Sequence, residues 1–290
     1  MFYTYPPDKT VLQTGMKSKM VEKSRAEPVD PPIPPINEVE PGAILRWLKL
    51  GWRDFYRAGW PSLLHGLIVA VAGLLIVQVA LLYWPLLPGA ISGFLVVGPA
   101  LATGLYALSQ KLEQGIHPST GDALDAWRRG TRCLLRFGML LIIIATAWVM
   151  LSVMFFDLFV SVEINGPMDF LRYVVGQDDH VFLLWTVLGA LVAAVTFAIT
   201  VVSIPMLVDR DVSTPLALMT SVRAVGENPV TMAIWALFIT LASVFSIATF
   251  MLGFVVLYPL MGHASWHVYR EVVDVSHLPP RGHADQAPSQ

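Results

Sequence analysis

The feature that most constrains this chain is the length of its uncharged stretches. No Asp, Glu, Lys or Arg occurs from Pro61 to Gln110, and none lies between Glu227 and Arg270. A helix of about 20 residues crosses a roughly 30 Å hydrocarbon core. Each run is therefore too long for one crossing and long enough for two. A soluble domain spreads about 25% charged residues over its surface; here the share is 14%, against 55% hydrophobic. The fold class expected is an all-α membrane protein of six transmembrane helices.

The breaks between spans are written as helix-stopping residues. Trp84-Pro85-Leu86-Leu87-Pro88-Gly89 divides the first run, because two prolines and a glycine end a helix and tryptophan suits the interface. The expected spans are 62–83, 88–109, 138–160 and 181–207. The last uncharged run is read as two more, 230–250 and 252–268, with a turn near Gly253; a single long helix is the alternative. Residues 1–41 and 273–290 read as disordered cytoplasmic tails, the first carrying the proline-rich run Pro28–Pro35, which could bind a partner domain. The first 41 residues lack the apolar core of a signal peptide, so the first span is expected to act as an uncleaved anchor. Residues 42–272 form the membrane domain.

Orientation follows from the cations. Eighteen of the nineteen lysines and arginines precede span 1, lie between spans 2 and 3 or 4 and 5, or follow span 6; Arg172 is the exception. Cytoplasmic loops collect Lys and Arg, so both termini are placed in the cytoplasm.

Residues 43–58 form an amphipathic helix. At about 100° per residue, Arg46, Lys49, Arg53 and Arg57 share one stripe, with Ile44, Leu48, Trp52 and Phe55 opposite. This pattern suits a helix in the cytoplasmic interface, its cations near lipid headgroups. Residues 119–136 repeat the design, with Ser119 as N-cap and Arg129, Arg132 and Arg136 in the polar stripe. A third copy begins at Ser213: Ser119-Thr120-Gly121-Asp122-Ala123-Leu124 matches Ser213-Thr214-Pro215-Leu216-Ala217-Leu218 at four of six places. The chain thus reads as three repeats of an interfacial helix and two spans.

Candidate chemistry is sparse. His263 and His267 stand four apart on one helix face, and His65 opens span 1 at the same expected depth. Together they could ligate haem or a metal. Histidines at a span end more often bond neighbouring helices, and no carboxylate or cysteine at a nearby helical position completes a metal set. Cys133 is the single cysteine and reads as a small apolar residue at a helix–lipid boundary. The middles of the spans carry no ionisable group of the kind that ion-coupled carriers use. Gly89 and Gly93, and Gly189 with Ala193, have the spacing of close helix contacts, within the monomer or between copies in a homo-oligomer. Net charge near zero indicates no nucleic-acid partner. No phosphate-binding loop or nucleophile motif is present, so no enzyme activity and no other cofactor is expected.

Four elements carry a resemblance: Leu50-Gly51-Trp52-Arg53-Asp54, Gly98-Pro99-Ala100-Leu101, the Ser221–Pro229 segment ending Asn228-Pro229, and Gly262-His263-Ala264-Ser265-Trp266-His267-Val268-Tyr269-Arg270. Over about residues 42–272 the chain resembles a bacterial family of predicted integral membrane proteins, domain of unknown function 2189. The resemblance implies a Gram-negative inner membrane and lends no catalytic residues. The function expected is a non-enzymatic scaffold, assembly factor or accessory subunit of a membrane complex. The alternatives are a transporter or channel for an uncharged or lipid-like solute, and a redox protein using His65, His263 or His267.

Overall fold

Helices dominate because long apolar runs must satisfy their backbone internally in hydrocarbon. The computed structural model describes residues 31–83, 85–128, 132–160, 169, 172, 173, 176 and 180–281. Ile33 onward forms one unit. Its helices are α1 (Ala43–Ala58), α2 (Trp60–Ala80), α3 (Leu86–Leu101), α4 (Thr103–Glu113), α5 (Thr120–Arg128), α6 (Arg132–Phe159), α7 (Val181–Thr200), α8 (Ser203–Asp209), α9 (Thr214–Glu227), α10 (Pro229–Ala248) and α11 (Phe254–Val272). Among the described residues, five segments are long and apolar enough to cross a membrane: Trp60–Ala80, Leu86–Glu113, Cys133–Phe159, Val181–Asp209 and Pro229–Ala248. α11 falls outside that set. Nearly all of its side chains from Tyr258 to Val272 are buried or half-buried, so it is an internal helix with little lipid-facing surface.

Prolines shape two crossings. Pro99 and Pro205 cannot donate to the carbonyls of Leu95 and Val201, and helical geometry breaks close by, at Ala102 and at 201–202. Glycines set the close contacts. Cβ atoms built on Gly89 and Gly93 would press on Ser152 and Val149 of α6, and one on Gly189 would press on Trp148. Gly89, Gly93 and Gly189 thus serve contacts within the chain, while Ala193 is exposed. At Gly66 an added Cβ would run into the Val255 carbonyl, and at Gly51 it would lie 2.7 Å from the Ala264 nitrogen. α11 therefore packs tightly on both α1 and α2.

Several boundaries differ from the sequence expectation. The run after Glu227 does divide into two helices, with its turn at 249–253. The helix expected over 119–136 is two: α5, and the start of the long α6. Residues 33–41 and 273–281 are not loose tails. The Asn37 amide donates to the Val272 carbonyl at 2.8 Å, and the Asp274 amide to Pro35 at 3.0 Å. Asn228 accepts from the Val39 amide at 2.7 Å and donates to the Asn37 carbonyl at 3.0 Å. Asp211 donates to the Pro279 carbonyl at 3.1 Å. Side-chain amides and isolated bridges hold these segments, and neither leaves a hydrophobic period to read. Residues 1–30 and 282–290 lie outside the described residues.

Candidate functional site

The apolar face of α1 turns toward the protein. Ala43, Ile44, Trp47, Gly51 and Ala58 are buried with Asp54, and Trp47 is 0% exposed. Trp52, expected on that face, is 42% exposed. The exposed surface carries two stripes. Leu45, Trp52 and Tyr56 form one, and Arg46, Lys49, Arg53 and Arg57 the other. Arg46 is bound by Glu271 of α11. Arg136 is exposed at the start of α6. Arg129 lies outside the described residues, as does the side chain of Arg132.

Asp54 anchors a buried polar chain that joins four helices. Ser109 of α4 donates to its Oδ2 at 3.0 Å, and His267 Nε2 of α11 lies 2.8 Å from the same atom. Ser109 Oγ also lies 2.7 Å from His263 Nδ1, and Ser62 Oγ of α2 lies 2.7 Å from His263 Nε2. A hydroxyl has one proton. With that of Ser109 given to Asp54, His263 Nδ1–H must donate to Ser109, and Nε2 accepts from Ser62. The chain then runs in one direction, from Ser62 through His263 and Ser109 to the carboxylate. Burial would raise the Asp54 carboxyl, but the hydrogen bond and charge of His267 hold it below the usual range, with help from His263 and Ser109.

This order resembles a serine–base–acid relay, but Ser62, Ser109 and His263 are each 0% exposed. The group therefore ties α1, α2, α4 and α11 together and presents nothing to a substrate. His65 lies on the first turns of α2, its Nδ1 donating to the Pro61 carbonyl at 2.8 Å. Both nitrogens of His263 and one each of His65 and His267 are thus engaged. Among the described residues, no group of three His, Cys, Asp or Glu is placed to hold a metal. The geometry lends the haem or metal reading no support.

The rest of the Gly262–Arg270 motif works the same way. Trp266 donates to Glu113 at 3.0 Å, Arg270 pairs with Glu113 at 3.0 Å, and Tyr269 donates to Asp209 at 2.7 Å. Gln110 donates to the other Asp209 oxygen at 2.8 Å. α11 thus reaches α1, α2, α4 and α8 through one turn-by-turn set of polar side chains.

Beside this hub lies a cavity of about 440 Å³. Its walls come from α2, α3, α4, α6, α7, α10 and α11, and among the described residues its lining includes no Asp, Glu, Lys, Arg or His. Tyr258, in its lining, donates to the Gly98 carbonyl at 2.9 Å. Thr196 also lines it, and its hydroxyl is buried without a hydrogen-bond partner among the described residues. Such a group costs about 1–3 kcal/mol. Sequence reasoning missed this site, because no motif marks a space between helices.

Residues 86–209 match the family described as Predicted integral membrane protein (DUF2189), so the resemblance read in the sequence holds over that segment. No curated protein and no solved structure matches. The chain is an integral membrane protein with several apolar helices.

Proposed function

We propose, from the family match and the intramembrane cavity together, that this membrane protein holds an uncharged, lipid-like solute within the bilayer. The observation that carries the reading is the charge-free lining of the 440 Å³ space. That volume lies within the roughly 300–1,000 Å³ usual for small-molecule sites. An ion would meet no partner there and would lose its hydration, whereas an apolar guest gains contacts. The reading includes six membrane-inserted helices, with α11 as the sixth, arranged as three repeats. The order α1, α2, α3–α4; α5, α6, α7–α8; α9, α10, α11 supports it. It also places both ends of the chain on the cytoplasmic side of a bacterial inner membrane, on the strength of the lysine and arginine distribution. The cations of α1 lie against headgroups, with Leu45, Trp52 and Tyr56 dipping into the interface beside them.

The test is extraction in mild detergent, gel filtration, and mass spectrometry of the small molecules that stay bound. A stoichiometric apolar molecule should be retained by the natural chain and lost from Ile239→Trp, which fills the cavity. Equal retention by both chains, or none by either, would overturn the reading.

A second reading, a scaffold or accessory subunit, is favoured by the aromatic surface of α1. Copurification of a partner lost in Trp52→Ser with Tyr56→Ser would support it.

A further inference from the structure

The cavity has a side door. α7 and α10 flank it and scarcely meet each other. Ala190, Ala193 and Ala194 on α7 line the cavity and are exposed; so are Leu237, Thr240 and Val244 on α10. These residues sit in the middle of two apolar segments that qualify as membrane crossings. The opening between them therefore faces hydrocarbon, and what enters there comes from the bilayer. Small side chains form one jamb, which leaves room for a chain to pass.

One polar feature inside the door calls for a matching guest. Thr196 is part of the lining, and its hydroxyl is buried and has no partner among the described residues. It stands one turn above Thr200, whose own hydroxyl donates to the Thr196 carbonyl at 2.6 Å. A helical threonine usually satisfies its hydroxyl through such a backward bond; Thr196 does not. In hydrocarbon no water supplies the partner.

We propose that the site takes an uncharged long-chain lipid bearing one hydroxyl or carbonyl oxygen, which enters sideways between α7 and α10 and bonds Thr196 Oγ1. The inference rests on the cavity reading above and adds the route and the polar anchor. A saturated hydrocarbon would fill the space but leave the hydroxyl bare. A charged headgroup would have to stay outside, because the lining offers it no counter-charge.

The full chain in lipid nanodiscs is irradiated with a long-chain fatty alcohol carrying a mid-chain diazirine, and the adducts are mapped by mass spectrometry. Adducts are expected on Thr240 and Val244 at the mouth and on Phe254 and Tyr258 inside. An excess of unlabelled alcohol should remove them. Ala190→Trp with Ala193→Trp should cut the inner adducts at least tenfold. Thr196→Val should weaken competition by the alcohol about tenfold and leave competition by the matching alkane unchanged. Unaltered melting of the variants shows that the fold is intact.

Inner adducts that persist behind the mouth tryptophans would overturn side entry and leave the cavity reading standing. Equal competition by alcohol and alkane in the natural chain would overturn the hydroxyl match. Adducts confined to the outer faces of α2 and α6 would overturn the inference and the cavity reading together. Crosslinks between chains through α7, in place of lipid adducts, would assign the opening to a second copy.

Discussion

At the scale of single residues, the buried relay is where small changes cost most. Removing the imidazole in His263→Ala would leave the hydroxyls of Ser62 and Ser109 facing an empty, dry space. The expected loss is about 3 kcal/mol, read as a lower thermal midpoint in detergent. Acid should act on the same group. Asp54 titrates below its usual range in the folded chain, and Asp122 is drawn down to about 2 by the Lys111 hydrogen bond and the Ser119 amide. A carboxyl lowered by folding contributes stability above its unfolded value, near 4, and loses it as pH falls toward the folded value. The thermal midpoint should therefore drop below about pH 4, and less steeply in Asp54→Asn. Part of this site was legible. The four-residue spacing of His263 and His267 marks a shared face, and both do point into the relay. Asp54 was missed because it looked like one more charge in a basic helix. Its place seven residues after Trp47 puts it on the buried side of α1, away from the cations, and that was the available signal.

At the scale of elements, helix contacts here are set by which glycines face backbone. Gly66→Ala should be far worse than a typical glycine change, since the new methyl would meet the Val255 carbonyl and push α2 off α11. Gly138 lies inside α6 with nothing within 4 Å of an added Cβ. Gly138→Ala should therefore stabilise by up to about 1 kcal/mol, through helix propensity alone. Paired melting curves of the two variants test the contrast. The sequence marked Gly89, Gly93 and Gly189 as contact residues by their spacing, and each does meet α6. Gly66 shares that spacing with Ser62 and Ala70 and was overlooked, whereas Gly51 has Trp47 and Phe55 at the same offsets and gives no such signal. The ends of the apolar runs were readable to a few residues for a different reason. Hydrocarbon tolerates charge poorly, so the first charged or helix-breaking residue marks the edge.

At the scale of the whole molecule, the lack of charge over 252–268 suggested a sixth span but could not say that α11 is surrounded by protein. Its register explains why it differs from the five segments that qualify as crossings. Ser62 meets His263, an added Cβ on Gly66 would meet Val255, and one on Gly73 would meet Met251. α2 continues for seven residues beyond Gly73, roughly 10 Å at 1.5 Å per residue. The α10–α11 hairpin thus turns short of the far end of α2. Phe94 confirms the level from α3: its ring packs 6.1 Å from Phe254, half-way along a helix that begins at Leu86. A turn left inside hydrocarbon needs every amide satisfied. This one complies, since the amides of 249–255 all donate, among them Met251 to the Ser246 carbonyl at 2.8 Å and Gly253 to Thr249 Oγ1 at 3.0 Å. With the turn at that depth, Phe250 and Leu252, 81% and 67% exposed, are expected to face lipid and not water. In a Cys133→Ser background, Phe250→Cys should resist a membrane-impermeant maleimide added from either side. Tyr83→Cys, in the connection after α2, should react from the outside, and Arg210→Cys from the inside. Ready labelling of Phe250→Cys from the outside would show that the hairpin crosses fully. Labelling of Tyr83→Cys from the inside would invert the orientation drawn from the cations.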